Sequence, residues 1–254
     1  MRKGLQLLIL ALETATARGS LALASNGQIL EVYRGNPSLT HGIRLPGDAQ
    51  ALLARHGFTT ADIDYFAVCL GPGSFTGLRV GIATIQGLAI AHGRQVIGIS
   101  VLDVLAEIGT IMAKGGSKPR WIVPWIDGKR GEVFSAIYGL ETIGGGPDVQ
   151  WNIRVEPIAA TPDVVLDRWI VELDDQSSWF IGDAVPLYES MLKNRLGSNS
   201  RTILEIPPLA EQIALMASSD SRISQALSPH ALRPLYVRRP DAELARDRRP
   251  NTRI

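Results

Sequence analysis

Any chemistry in this chain has to start from a short set of residues. The run GPGSFTGLRVG, residues 71–81, places Gly71, Gly73 and Gly77 between an apolar stretch and a helical pattern. Backbone N–H groups at such a junction can hold an anion, helped by the helix dipole. The spacing, however, is GxGxxxG, one residue longer than the dinucleotide fingerprint, and no Lys-Ser or Lys-Thr pair follows to reach terminal phosphates. Ser74 lacks the glycines of a nucleophile elbow, because Pro72 and Thr76 stand two residues to either side. Either Ser74 or Thr76 fits the N-cap of the following helix instead. Cys69, the only cysteine, lies in an apolar stretch, where a thiol is usually buried and inert. The four histidines, His41, His56, His92 and His230, form no close metal pair, and His41 is the one to test first. Asp127, Lys129, Arg130 and Glu132 read as a charged hairpin tip.

The elements that position these residues alternate. Residues 7–12 form a continuous apolar strand and 20–24 a second, and Asn26-Gly27 is a two-residue hairpin turn into a third strand at 29–33. A helical pattern then runs over 46–56, with Ala49, Leu52 and Leu53 on one face. Residues 65–70 are apolar throughout, as for a strand covered on both faces, and a helix at 76–92 and a strand at 95–99 follow. This order predicts an α/β fold: a mixed sheet flanked by helices, an antiparallel meander extended by parallel strands, as in RNase H-like or actin-like lobes. Beyond a loop at 113–119, strands at 121–126 and 132–138 flank the charged turn. Residues 164–169 look helical, 179–181 form a short strand, and 209–217 a helix opened by Pro207 and Pro208. No internal repeat is visible. The expected organisation is a first lobe over 1–102, a second over 103–239, and a basic, poorly ordered tail over 240–254.

The helix after the glycine turn carries two stripes. Gly77, Gly81, Thr84 and Leu88 form one, and Val80, Ala83 and Gly87 the other. An interior glycine costs about 1 kcal/mol relative to alanine, which the close approach of another backbone can offset. One stripe must meet the protein's own sheet, and the other is then free to meet a partner helix; periodicity fits internal packing alone as well as partner docking, and does not say which stripe is which.

Bulk composition excludes several classes. With 254 residues the chain can form two lobes, and 26 Lys plus Arg against 25 Asp plus Glu gives no global pull towards nucleic acid. The end of the chain differs: from His230 onwards there are seven arginines against three acids, a charge that can meet phosphates, although no aromatic residue lies beyond Tyr236. One cysteine rules out an intrachain disulfide and fits a reducing compartment. Arg2 and Lys3 before an apolar run mimic a signal peptide, but the run is short and closely bracketed by Gln6 and Glu13. No stretch approaches the roughly 20 apolar residues of a membrane span. A cytoplasmic protein with no membrane partner is expected.

The run GPGSFTGLRVGIATIQGLA, residues 71–89, resembles the signature of the bacterial TsaB family. ILALETAT (9–16) is similar to that family's first strand, with Glu13 where Asp is usual. HGIRLP (41–46) resembles its helix entry, with Gly42 a departure and the proline one residue early. IDGKRGEVFSAIY (126–138) resembles its second-lobe hairpin, and PLYVRRPDAE (234–243) its C-terminal segment. The resemblance implies a two-lobed actin-like (ASKHA) fold and a non-catalytic accessory subunit for threonylcarbamoyl transfer to adenosine in tRNA. It implies pairing with the catalytic paralogue TsaD, joined by the small ATPase TsaE, and a homodimer through the same helices. On that basis the interface candidates are Leu45, Leu52, Gly77, Val80, Gly81, Thr84 and Leu88. No cofactor is expected on this chain itself, ATP or metal entering through the partner, and tRNA contact is expected to be indirect or weak, through the basic tail. Glu13, His41, Asp127 and Arg130 stand as further functional candidates. The alternative is an enzyme acting alone, an M22-type peptidase or an actin-like ATPase.

Overall fold

Alternation along the first strands builds two cores at once. A computed structural model describes residues 6–36, 38–113, 118–142 and 149–237. In β1 (Leu8–Glu13) and β2 (Ser20–Ser25), Leu8, Leu10, Leu12, Leu21 and Leu23 face one side, while Ile9, Ala11, Ala22 and Ala24 face the other. The hairpin to β3 (Gln28–Arg34) turns at Asn26 and Gly27, whose φ values of 49° and 74° are the left-handed conformations a tight turn needs. α1 (His41–Arg55) leads to β4 (Tyr65–Gly71), and α2 (Phe75–His92) to β5 (Gln95–Ser100). The sheet order is β3-β2-β1-β4-β5, with β4 parallel to both β1 and β5.

The second half repeats this plan. After α3 (Val101–Ala113) come β6 (Trp121–Lys129), β7 (Glu132–Thr142), β8 (Val149–Ala160), α4 (Pro162–Leu173), β9 (Ser178–Ile181), α5 (Glu189–Leu196) and β10 (Ser200–Ile203). Their order, β10-β9-β6-β7-β8, is the topology of the first sheet again, with β6 in the place of β1. The chain therefore does contain an internal duplication, held in backbone pairing rather than in side-chain pattern. Three features hid it. β8 is a largely exposed edge strand broken by Arg154, Glu156 and Pro157. α3 is buried on nearly every side and so shows no clear polar face. α5 and β10 are short.

The lobes share their central core. α3 packs on β6, β7 and β8 as well as on β4 and β5, while α6 (Leu209–Ala217), which follows β10, packs on β1 and β2. Small residues on both sides, Ala11, Ala22 and Ala24 in the sheet against Ala210, Ala214 and Ala217 in α6, belong to one cluster. After α7 (Asp220–Ile223) the chain stays on the first lobe: Leu227 and Val96 exchange backbone hydrogen bonds, and the Leu235 N–H donates to the Leu70 carbonyl at 2.8 Å. A boundary between residues 102 and 103 lies inside α3, and α6 packs on the first sheet. The tail over 240–254 and most of the loop at 113–119 lie outside the described residues.

Helix α1 starts at His41, five residues before Pro46, where the apolar periodicity placed it, and Pro46 lies inside it. The buried Arg44, bonded to the Arg18 carbonyl and to Asp48, anchors the first turn. Helix α2 opens as expected on Ser74, whose hydroxyl accepts from the Gly77 N–H at 3.2 Å. It then lies directly on Thr14: a Cβ at Gly77 would meet the Thr14 carbonyl, and one at Gly81 the Thr14 hydroxyl. That hydroxyl is buried and has no hydrogen-bond partner among the described residues. Gly81→Ala should therefore destabilise the fold by about 1–3 kcal/mol through overpacking. Thr14→Ala should be close to neutral alone and should recover most of that loss in the double variant, read as a thermal-unfolding double-mutant cycle. Additive effects would show that Thr14 is not what the glycine avoids.

Candidate functional site

Two regions gather the functional candidates, and the loop between β1 and β2 is the first. The Glu13 carboxylate, 1% exposed, accepts from the Thr16 N–H at 2.7 Å, the Thr16 hydroxyl at 2.9 Å and the Ser20 hydroxyl at 3.4 Å. Burial raises its pKa above the ordinary range, and these hydrogen bonds work against that shift. The Ser20 oxygen in turn accepts from the Ala210 N–H at 3.1 Å, capping α6 where Pro207 and Pro208 supply no donor. From the other side, His41 Nε2 lies 3.2 Å from the Thr16 carbonyl, and its Nδ1 lies 2.9 Å from the Arg44 guanidinium. A carbonyl only accepts, so Nε2 carries the proton and Nδ1 accepts from Arg44. Burial, and then the Arg44 charge, lower the His41 pKa and keep the ring neutral. Arg44 also donates to the Arg18 carbonyl and pairs with Asp48 at 2.7 Å.

The second lobe meets this loop across a cleft. Its turn bends through Lys129, Arg130 and Gly131 at positive φ, with the Asp127 carboxylate accepting from the Lys129 N–H at 2.8 Å and pairing with its ammonium. The Asp127 N–H donates to Asp183 at 2.9 Å, and burial pushes the Asp183 carboxyl up in pKa. Glu13 and Asp183 feel each other's charge and, with Thr16, Arg18, Arg34 and Pro208, line a cavity of about 200 Å³. The structure thus brings Glu13 and Asp183 to one cleft, holds Asp127 beside it through the bond to Asp183, links His41 to it through Thr16, and leaves Arg130 on the turn. Arg44 and Asp183 were missed by sequence reasoning. Arg44 lies inside HGIRLP, where a charged residue one turn from His41 was the available signal. Among the described residues no three His, Cys, Asp or Glu side chains come together as a metal-binding group.

The second region is the outer face of α1 and α2. Between the helices runs a groove of about 600 Å³, lined by Ala49, Leu53, Phe58, Ala83, Thr84, Gly87 and Leu88 among others. Five interface candidates, Leu45, Leu52, Gly77, Val80 and Gly81, are not on it. Leu45 and Leu52, 1% and 0% exposed, point into the core beneath α1, and Gly77 and Gly81 are buried against Thr14. Thr84 and Leu88 line the groove and Val80 is half-buried near the core, while Ala83 and Gly87 are exposed. The stripe that leaves the protein is therefore the one with Ala83 and Gly87, because the glycines four apart are used internally.

A family model described as TsaD, tRNA N6-adenosine threonylcarbamoyltransferase, matches residues 37–248. The chain belongs to this family, as a TsaB-type member. The TsaB protein of Bacillus subtilis is 25% identical over 92% of this chain and 96% of its own length. TsaB of Escherichia coli is 32% identical over 63% of this chain and 65% of its own. A solved Pseudomonas aeruginosa protein, described as similar to peptidase YEAZ, shares the fold with a TM-score of 0.69 at 24% identity, covering 91% of this chain and 100% of that one. The solved structure agrees with the architecture of two five-stranded mixed sheets flanked by helices described above. No helix among the described residues is long and apolar enough to cross a membrane.

The Glu13 network has a pH signature. A carboxyl whose folded pKa lies above its ordinary value of 4.5 binds its proton more tightly in the folded chain. Its contribution to stability is therefore largest in acid, declines as pH rises through 4.5, and is constant above the folded pKa. The melting temperature of the wild type relative to Glu13→Gln should accordingly fall as pH rises above 4.5. A difference that stays flat, or rises, would contradict a buried carboxyl strained by its own charge.

Proposed function

We propose that this chain is the non-catalytic partner subunit of a TsaD-like threonylcarbamoyltransferase acting on tRNA, docking through the groove between α1 and α2. The observation that carries this reading is the shape of that groove: Ala83 and Gly87 present a nearly side-chain-free ridge beside Leu53, Phe58 and Leu88. Small residues let a partner helix approach closely, and the apolar walls give it area to bury. Membership of a threonylcarbamoyladenosine family, with relatives named TsaB along nearly the whole chain, supplies the reaction in which such a subunit works. A TsaE-like ATPase joins the assembly, ATP or metal is held through the partner, and the setting is the cytoplasm.

The groups that could have served a solitary enzyme are otherwise engaged. Ser74 caps α2 through its oxygen. Cys69 is fully buried in β4, and that burial pushes its thiol pKa up to about 12, so it is not a nucleophile near neutral pH. Glu13 is saturated with hydrogen bonds from its own loop.

Size exclusion of the purified chain with its TsaD-like partner, with and without nucleotide, tests the proposal. Gly87→Glu has free space around its Cβ, so it should leave thermal stability unchanged or slightly higher while reducing co-elution at least tenfold. Retained co-elution would place the interface elsewhere. A stable homodimer that ignores the partner would favour self-association through the same face, and turnover by the chain alone would favour the enzyme alternative.

A further inference from the structure

Two side chains from the first turn of α1 plug into the end of the β2–β3 ladder and act there as one unit. The His41 ring and the Arg44 guanidinium fill a slot that only glycines leave open: a Cβ at Gly19 would meet both groups, and one at Gly35 would overlap the guanidinium. The Gly35 N–H donates to the Gly19 carbonyl at 3.1 Å, which continues the pairing one step beyond Ser20 and Arg34. Inside the slot the imidazole proton has one place. Nε2 donates to the Thr16 carbonyl, so Nδ1 is the lone pair that accepts from Arg44 at 2.9 Å. Arg44 is 5% exposed and already short of acceptors, since its Nε has no hydrogen-bond partner among the described residues.

A second proton on the ring does not fit this arrangement. It would turn Nδ1 from acceptor into donor, set two cations side by side, and leave another buried guanidinium N–H unsatisfied. His41 is also the first residue of α1, where the helix dipole disfavours positive charge. The charged and titratable groups around the slot supply no free anion. Asp48 on α1 is held by Arg44 and shared with Tyr33 of β3. Glu13 of β1 is turned to Thr16 and Ser20, and Asp183 acts on Glu13. Arg18 and Arg34, beside the two glycines, add positive charge. In agreement, burial and the Arg44 charge hold the ring below its ordinary value of 6.5. The same helix forms one wall of the docking groove, starting at Pro46, two residues after Arg44. We propose that His41 and Arg44 form an acid-released latch: protonation of His41 expels the pair from the slot between Gly19 and Gly35, frees the first turn of α1, and so weakens partner docking on the α1–α2 groove. The link to docking rests on the function proposed above, whereas the latch is a property of this chain alone.

A ring that binds its proton more weakly in the latched chain than when released makes the latch lose stability as pH falls below 6.5, until the latched ring itself titrates. NMR titration of the full-length chain tests this, with the His41 ring assigned through its contact with Gly19. The ring should titrate below 6.5, and amide exchange at residues 42–45, corrected for the intrinsic rate, should rise about three- to tenfold per pH unit below 6.5. Amides of β4 should show no such step. His41→Gln has no charge to gain, so exchange in its first turn should not respond to pH in this range. Affinity for the TsaD-like partner, measured at about pH 7.5 and about pH 5.5, should fall at least about fivefold more for the wild type than for His41→Gln, a comparison from which the partner's own titration cancels. The proposal is overturned if His41 titrates at or above 6.5, if exchange in the first turn ignores that titration, or if a folded His41→Gln loses affinity in acid as the wild type does. Should the variant not fold, the wild-type titration and exchange decide. Absence of binding at the higher pH beside a titrating latch overturns the docking groove alone.

Discussion

The contact between α2 and Thr14 at the end of β1 governs how the first lobe is put together. Two glycines, four residues apart, allow the helix backbone to rest on Thr14, Gly77 against its carbonyl and Gly81 against its side chain. Their cost in helix propensity is offset by that packing, and their position fixes the rotation of the helix about its own axis. Once the rotation is fixed, Leu78, Ile82 and Ile85 must enter the cores, and Ala83 and Gly87 must face outwards. The outward groove is thus a consequence of an internal contact. The same contact holds the β1–β2 loop near the helix, where Ser74 takes a hydrogen bond from its own turn and donates its N–H to the Ala15 carbonyl at 2.9 Å.

Around that loop, polar groups do the joining that apolar packing does elsewhere. Arg44, His41, Thr16, Glu13 and Ser20 form a continuous path from α1 to the first turn of α6. A buried path of this kind is costly where a member is unsatisfied; here the carboxylate has several donors and the imidazole one donor and one acceptor, while the Arg44 Nε has no hydrogen-bond partner among the described residues. Its geometry favours a fixed loop over a reactive one. The path ties α1 and the β1–β2 loop to α6 within the first lobe.

The sequence made the first sheet legible because its strands are apolar runs closed by Asn-Gly and Gly-Pro-Gly turns, signals that depend on neighbouring residues alone. Helix α6 was equally plain, with two prolines before an apolar stripe. What escaped were elements whose signal depends on distant partners. α3 is apolar almost throughout because sheets cover it from two sides, and β8 carries charges because one of its edges faces solvent. The candidate site divided along the same line. Ser74 was recognised as a cap from local pattern, whereas the inward role of Gly77 and Gly81, and the meeting of Glu13 with Asp183, depend on how the chain folds back. The spacing of the glycines said that something approaches closely, and only the tertiary structure says that it is Thr14.

The crossing of α6 onto the first sheet has a consequence for synthesis. The first five strands emerge from the ribosome long before α6, yet the alanine-lined face of β1 and β2 is covered by Ala210, Ala214 and Ala217. Until about residue 217 has been made, that face has no native cover, so the nascent first lobe waits in an incomplete state for most of translation. Its partner-facing helices, by contrast, can already rest on the leucine face of the sheet. Assembly with another chain could therefore begin on one side of the sheet while the other is still unfinished, and truncation before α6 would produce a sticky half-domain rather than a smaller working one.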